Sequence, residues 1–484
     1  MDERALLEST PTRLLIGGSW TKAQGNAEFE VLDPATDEVL TRVADAAPDD
    51  GDAALAAAHE AQPDWERTPA RERAELLRRI FDAVIERTDE LALLITLEMG
   101  KSLAESKGEV AYGAEFLRWY AEEAVRAYGS YLPAPTGNGH ILTTRRPVGP
   151  CLLITPWNFP LAMATRKIGP ALAAGCTAVI KPAAVAPLTT LRLAEIARAC
   201  GLPDGVLNVI PTTSPGEVMG PLLTDERTRK LSFTGSTEVG RSLMAQAAER
   251  VLRVSMELGG NAPFLVFEDA DLDAAVDGAM AAKMRNIGES CVAANRFLVH
   301  RSVAEPFTEA LAERMGALSM GRGTEDGVDV GPLIDRGAVD KVHGLVSDAV
   351  TSGARIQVGG QRPDRPGCFY PPTVLSDVPR DAELLRQEIF GPVAPVTTFS
   401  DDEEAVALAN DSPHGLVAYA YTRDVGRALQ LADVVEAGML GVNRGIVSEP
   451  AAPFGGIKQS GLGKEGGPEG LDEYLTTRYV ALEA

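Results

Sequence analysis

The chain has few cysteines, a deficit of positive charge and no long apolar run. Five cysteines occur in 484 residues, at positions 151, 176, 200, 291 and 368. None sits in a CxxC pair or beside a histidine cluster, which argues against a zinc site or any other resident metal. Their odd number and wide spacing exclude a disulfide scaffold and suit reduced thiols in a cytoplasm. Lys and Arg total 46 against 69 Asp and Glu, a net charge of −23. That balance excludes nucleic acid as a partner, because phosphate binding needs a basic footprint. It also excludes docking on an anionic membrane. A small anionic substrate stays possible, since a few local arginines outweigh a distant, screened field. The apolar stretch "IGPALAAGCTAVI" falls short of the roughly 18 residues of a membrane span and contains Pro and Gly. The opening "MDERALLEST" is acidic and lacks an apolar core, so it does not read as a signal peptide.

What is present is alternation. After a short strand-like opening, Asp49–Gln62, Pro69–Met99 and Lys101–Tyr128 carry apolar residues every three or four positions and read as helices. From Gly149 the character changes to short apolar strands alternating with helices: "GPCLLITPWN", "CTAVIKP", "GVLNVI", "KLSFTGSTEVG" and "VLRVSMELGG". This pattern predicts a parallel sheet covered on both faces. It begins again after Asn261 with "PFLVF", "RFLVH", "VAYAYT" and "GMLGVN". The reading is two α/β units, residues 1–130 with 148–259 and residues 260–445, and a third part made of 131–147 and 446–484. Within that third part, Tyr131–Arg146 and Tyr474–Leu482 look extended and are expected to be exposed edges that pair with another subunit.

Several stretches could carry chemistry. "FTGSTEVG" follows a strand and opens a helix, where small residues let backbone N–H groups approach a phosphate; a plain glycine turn reads the same way. Lys181 in "VIKP" and Trp157 and Asn158 in "TPWNFP" stand at strand C-termini, where ligands bind in open α/β sheets. Lys181 could equally be a solvated lysine, and Asn158 a helix cap. Glu257 in "MELGG" is a general base or a residue of a domain hinge. Cys291 lies in "MRNIGESCVAANR", among small and polar residues. A thiol that only fills a core normally has apolar neighbours, whereas a nucleophile needs polar ones.

In this order, "TPWNFP", "KP", "FTGSTEVG", "MELGGNAP", "NIGESC", "EIFGP" and "APFGGIKQSGLGKEGG" resemble the NAD(P)-dependent aldehyde dehydrogenases across almost the whole chain. The resemblance implies a Rossmann-type cofactor domain (1–130 and 148–259), an α/β catalytic domain (260–445) and a β oligomerisation arm with a C-terminal tail. It also implies a homodimer or homotetramer. Cys291 is then the nucleophile, Asn158 with the Cys291 N–H the oxyanion hole, and Glu257 the base that activates water. Lys181 holds the adenosine ribose, Gly235 and Ser236 lie near the pyrophosphate, and Trp157 packs beside the cofactor. Glu388 binds the nicotinamide ribose and Phe390 supports the nicotinamide.

Within that family, "FPLAMATRKIGPALAAGC" and "GVNRGIVSEPAAPFGGIKQSGLGKEGGPEGLDEYLTTRYV" look most like the succinate-semialdehyde dehydrogenases. These grip the substrate carboxylate at positions that correspond to Arg166, Arg285 and Ser448, and guanidinium groups suit a carboxylate at any working pH. The alternative is that the two arginines form structural ion pairs, with glutaric or 2-oxoglutaric semialdehyde or an aliphatic aldehyde as substrate. A silent binding homologue and acyl transfer to phosphate or coenzyme A are further readings, opposed by the presence of the catalytic set and of Glu257. Three departures stand out. Glu289 replaces a Gln and, if it points inward, raises the thiol pKa or repels an acidic substrate. Ala293 removes the second cysteine of a redox switch. Ala184 stands where NAD-preferring relatives place a Glu on the ribose 2′-hydroxyl, so NADP is the expected preference, with NAD usable.

Overall fold

Two mostly parallel sheets form; the chain crosses from the first to the second after Glu257 and returns to the first at Gly461–Leu462. The computed structural model describes residues 2–482. The first sheet has eight strands, with five parallel ones at its centre: Leu207–Val209, Ala178–Lys181, Cys151–Ile154, Lys230–Thr234 and Arg253–Glu257, in that spatial order. Taken in chain order, these strands lie third, second, first, fourth and fifth. The order reverses between Cys151–Ile154 and Lys230–Thr234, and a crevice opens at such a reversal. Cys151 and Leu153 face one apolar cluster while Leu152 and Ile154 face another. Burial on both faces is why these strands read as continuous apolar runs, and each buried Leu or Val contributes roughly 1.5–3 kcal/mol.

The second sheet has seven strands. Five of its parallel strands, Val393–Phe399, Ala294–His300, Ala262–Val266, Val417–Tyr421 and Met439–Val442, repeat the same relative order, and Thr373–Ser376 adds a sixth beside Val393–Phe399. Phe264 packs against Phe297, Phe307, Tyr419 and Tyr421 in its core.

Three expectations are revised. The opening is preceded by a helix, Glu3–Ser9, capped by Asp2. The single helix expected over Pro69–Met99 is two, Ala70–Glu86 and Thr88–Met99, which meet at Arg87. Every residue from Leu91 to Met99 is buried, so the second helix turns inward and cannot continue the amphipathic face of the first. The extended segments of the third part do not stand as separate edges. Ser130–Pro133, His140–Pro147 and Leu475–Leu482 form one antiparallel sheet, with His140–Pro147 in its middle. Only its two outer strands present free edges, and Tyr131, Leu132, Tyr479 and Leu482 are exposed there. Among the described residues no helix is long and apolar enough to cross a membrane.

Candidate active site

The site lies where the two sheets face each other. The C-terminal ends of the first sheet's strands meet the N-terminal ends of the second's. Cys151–Ile154 runs into Trp157 and Asn158, then into the helix Pro160–Ala174, which has proline at its first turn. No side chain within that helix caps it; Glu109 Oε1 accepts the N–H groups of Leu161 (2.9 Å) and Ala162 (3.2 Å) instead. Thr234 ends its strand at Gly235 and Ser236, and Ser236 Oγ accepts Val239 N–H at 3.3 Å to cap Thr237–Ala248. Glu257 ends the neighbouring strand. A side chain at Gly260 would come within 2.4 Å of the Cys291 carbonyl oxygen, so the bare backbone there lets the cysteine turn reach the first sheet.

One cavity brings together Trp157, Asn158, Arg166, Gly235, Ser236, Glu257, Arg285, Cys291, Glu388, Phe390 and Ser448. Of the residues expected in the site, Lys181 alone is outside this lining, at the C-terminal end of its own strand. Burial lowers its pKa to about 8, so it stays largely charged at neutral pH. Cys291 is half-buried. Burial pushes its thiol up to about 12, and the carboxylates of Glu388, Glu257 and Glu465 oppose the thiolate while Arg166 favours it. Glu257 is buried with Oε2 unpartnered, and burial, reinforced by Glu465, raises its pKa well above the usual carboxylate range. Asn158 Nδ2 donates to the Glu289 carbonyl at 3.0 Å, and its second hydrogen remains for a reacting oxygen. Glu388 Oε1 accepts Gly260 N–H at 3.1 Å, and burial brings its pKa up to about 7. Trp157 and Phe390 meet edge to face at 5.5 Å.

The two arginines differ. Arg285 Nη1 donates to Ser448 Oγ at 3.1 Å, and its guanidinium lies 5.2 Å from the rings of both Tyr112 and Phe159. Arg166 is 2% exposed and bound through Nε to Glu465. It is therefore not the free guanidinium a carboxylate clamp calls for, although Nη2 has no partner and the side chain borders the cavity. Glu465 also accepts from Lys167. Burial works against the Glu465 carboxylate, but Lys167 and Arg166 together hold its pKa down to about 2. Glu465 and Lys167 were missed in the sequence. Both lie inside quoted motifs, but residues about 300 apart give no local sign of pairing.

Glu289 does not line the cavity; it lies behind Ile334, which does. It is fully buried, its Oε1 accepts Ile334 N–H at 3.1 Å, and burial raises its pKa well above the usual range.

Comparison with known proteins shows the family. The sequence pattern described as "Aldehyde dehydrogenase family" matches residues 20–480. A succinate-semialdehyde dehydrogenase of Paenarthrobacter nicotinovorans is 61% identical over 444 residues, covering 92% of this chain and 99% of that one. A glutarate-semialdehyde dehydrogenase of Pseudomonas aeruginosa is 48% identical, covering 96% of each. The crystal structure of an Escherichia coli NADP-dependent enzyme superposes with a TM-score of 0.97 at 47% identity, covering 98% of both chains.

Proposed function

We propose that this chain, which belongs to the aldehyde dehydrogenase family, oxidises succinic semialdehyde to succinate with NADP as its preferred oxidant. The observation that carries the substrate is Arg285. It is a guanidinium on the wall of the Cys291 cavity with a hydroxyl, Ser448, as its hydrogen-bond partner and no ion pair among the described residues. Such a group favours a substrate with a distal carboxylate. Arg166 adds positive charge through its free Nη2.

The residues present fit a nicotinamide dinucleotide. A capped helix begins beside Gly235 and Ser236 for the pyrophosphate, Lys181 and Glu388 stand ready for the two riboses, and Trp157 and Phe390 offer apolar walls. When bound, the cofactor supplies the acceptor for the substrate's hydride. The chain's own groups do the rest. Cys291 Sγ bonds to the aldehyde carbon as its proton passes by way of the Glu257 carboxylate to solvent, and the resulting oxyanion is held by Asn158 Nδ2 and the Cys291 N–H. Oxidation leaves a thioester on Sγ. Glu257 takes a proton from water, the hydroxide adds to the thioester carbon, and carboxylate and thiolate separate. Ala184, half-buried after Lys181, leaves room and no opposing charge for a 2′-phosphate.

Assembly through the free edges of the arm sheet, as a dimer or tetramer, and a cytoplasmic address with five reduced cysteines, complete the proposal. The test is NAD(P)H formation from succinic semialdehyde, glutaric semialdehyde and butanal, each with NADP and with NAD. The expected result is highest kcat/KM for succinic semialdehyde with NADP. Faster butanal turnover would make both arginines structural. Faster glutaric semialdehyde turnover would favour the second reading, which the Pseudomonas relative supports.

A further inference from the structure

The turn that carries Cys291 passes through three consecutive left-handed residues, Asn286 (φ 56°), Ile287 (φ 61°) and Gly288 (φ 77°). Asparagine tolerates that region and a β-branched isoleucine does not, so the surroundings must hold the turn. Two bonds do so at Asn286. Its backbone N–H donates to Glu105 Oε1 at 2.7 Å, and its side-chain Nδ2 donates to the Glu289 carbonyl at 2.8 Å. The same carbonyl accepts Asn158 Nδ2 at 3.0 Å. One peptide oxygen, two residues before the nucleophile, is thus shared by two side-chain amides from different sheets. The backbone of Asn158 is held separately: Lys101 Nζ donates to its carbonyl at 2.8 Å and to Glu109 at 2.5 Å. Only the direction of the Asn158 amide is left for the Glu289 carbonyl to decide.

We propose that Asn286 is a positioning residue for the oxyanion hole, pinning the Glu289 carbonyl so that it aims the Asn158 amide. This rests on the reading of Asn158 as the oxyanion donor. An amide nitrogen has two hydrogens, and fixing one on a carbonyl sets the direction of the other. Without Asn286 the carbonyl keeps Asn158 alone as its side-chain donor, and the pair can drift together away from the reacting oxygen. Preorganisation of that donor is what the reaction depends on.

Asn286→Gly tests this cleanly, because glycine keeps the left-handed backbone while removing the amide. Kinetics with succinic semialdehyde and Cys291 alkylation by iodoacetamide are compared in the wild type, Asn286→Gly, Asn158→Ala and the double variant. A displaced donor costs less than a deleted one, so Asn286→Gly is expected to lower kcat about tenfold, against roughly 10²–10³-fold for Asn158→Ala. The cofactor KM and the alkylation rate stay unchanged, since alkylation develops no oxyanion. In the Asn158→Ala background Asn286→Gly adds no further loss. A tenfold loss that persists without Asn158, an unchanged kcat in Asn286→Gly, or an equal fall in alkylation overturns the inference alone. A full kcat in Asn158→Ala overturns the reading of Asn158 and the inference with it. If the glycine variant does not fold, Asn286→Asp, which also tolerates left-handed backbone but lacks the donor, carries the same expectations.

Discussion

The two sheets share a strand order yet use opposite ends. At the first sheet's reversal point, the strand C-termini open into the cavity and present Asn158, Gly235 and Ser236 to it. At the second sheet's reversal point, between Ala262–Val266 and Val417–Tyr421, the matching crevice is filled by the chain itself. Asp269 accepts from Thr422 Oγ1 (2.9 Å), Arg423 N–H (2.8 Å), Asp424 N–H (3.0 Å) and Arg427 Nη1 (2.7 Å). Arg427 also pairs with Glu268 and Asp402, both at 2.9 Å. A carboxylate thus occupies the anion position ahead of the helix Val425–Val434, where the first sheet leaves room for a phosphate. The second sheet contributes chemistry from its other end, through the turn that precedes the strand Ala294–His300. On the proposed reading, two copies of one topology divide the labour: one binds at its open crevice, and the other, its crevice closed, supplies the nucleophile.

The sharpest break of this division is Cys291→Ser. It is expected to lower turnover by on the order of 10⁴-fold or more, as other nucleophile deletions do, while NADPH binding measured by fluorescence is retained. Unimpaired turnover would leave the second sheet without a catalytic role. Next, Arg285→Ala should raise KM for succinic semialdehyde about 10- to 100-fold, the loss of a charge-assisted hydrogen bond, and leave butanal nearly unaffected. Third, Asp269→Ala should destabilise the fold by about 2 kcal/mol in urea unfolding, with Arg427 left short of one partner, and kcat should hold. Burial works against the Asp269 carboxylate, but Thr422, Arg423 and Arg427 outweigh it and lower its pKa. Its contribution is therefore present above the ordinary aspartate range and fades as pH falls through the lowered value, so the gap between variant and wild type should shrink in acid.

Two smaller effects concern buried carboxyls. Glu257 has a raised pKa, so its base form grows as pH rises. Thioester hydrolysis should climb with pH in the wild type and flatten in Glu257→Gln. Glu289→Gln should leave the iodoacetamide rate of Cys291 unchanged. A raised folded-state pKa makes Glu289 increasingly costly as pH rises from its unfolded value through the folded one. The glutamine variant should therefore gain stability on the alkaline side alone. A changed thiol rate would put Glu289 back in the cavity.

The strand-turn-helix segments around Trp157, Lys181 and Gly235, the strand end at Glu257, and the thiol among small polar residues at Cys291 were legible because each is a local pattern. A strand needs an apolar run, its end needs turn residues, and a helix start needs small or capping ones. Side-chain partners are not local. Whether Arg166 was free or bound to Glu465, whether Glu289 faced the thiol or Ile334, and whether the extended arm segments met each other were decided by packing. The sequence by itself determined which elements form and which reactive residues they carry. Only the tertiary structure decided which charges neutralise one another and which sheet end stays open, because burial forces each polar group to the nearest available partner, however distant along the chain.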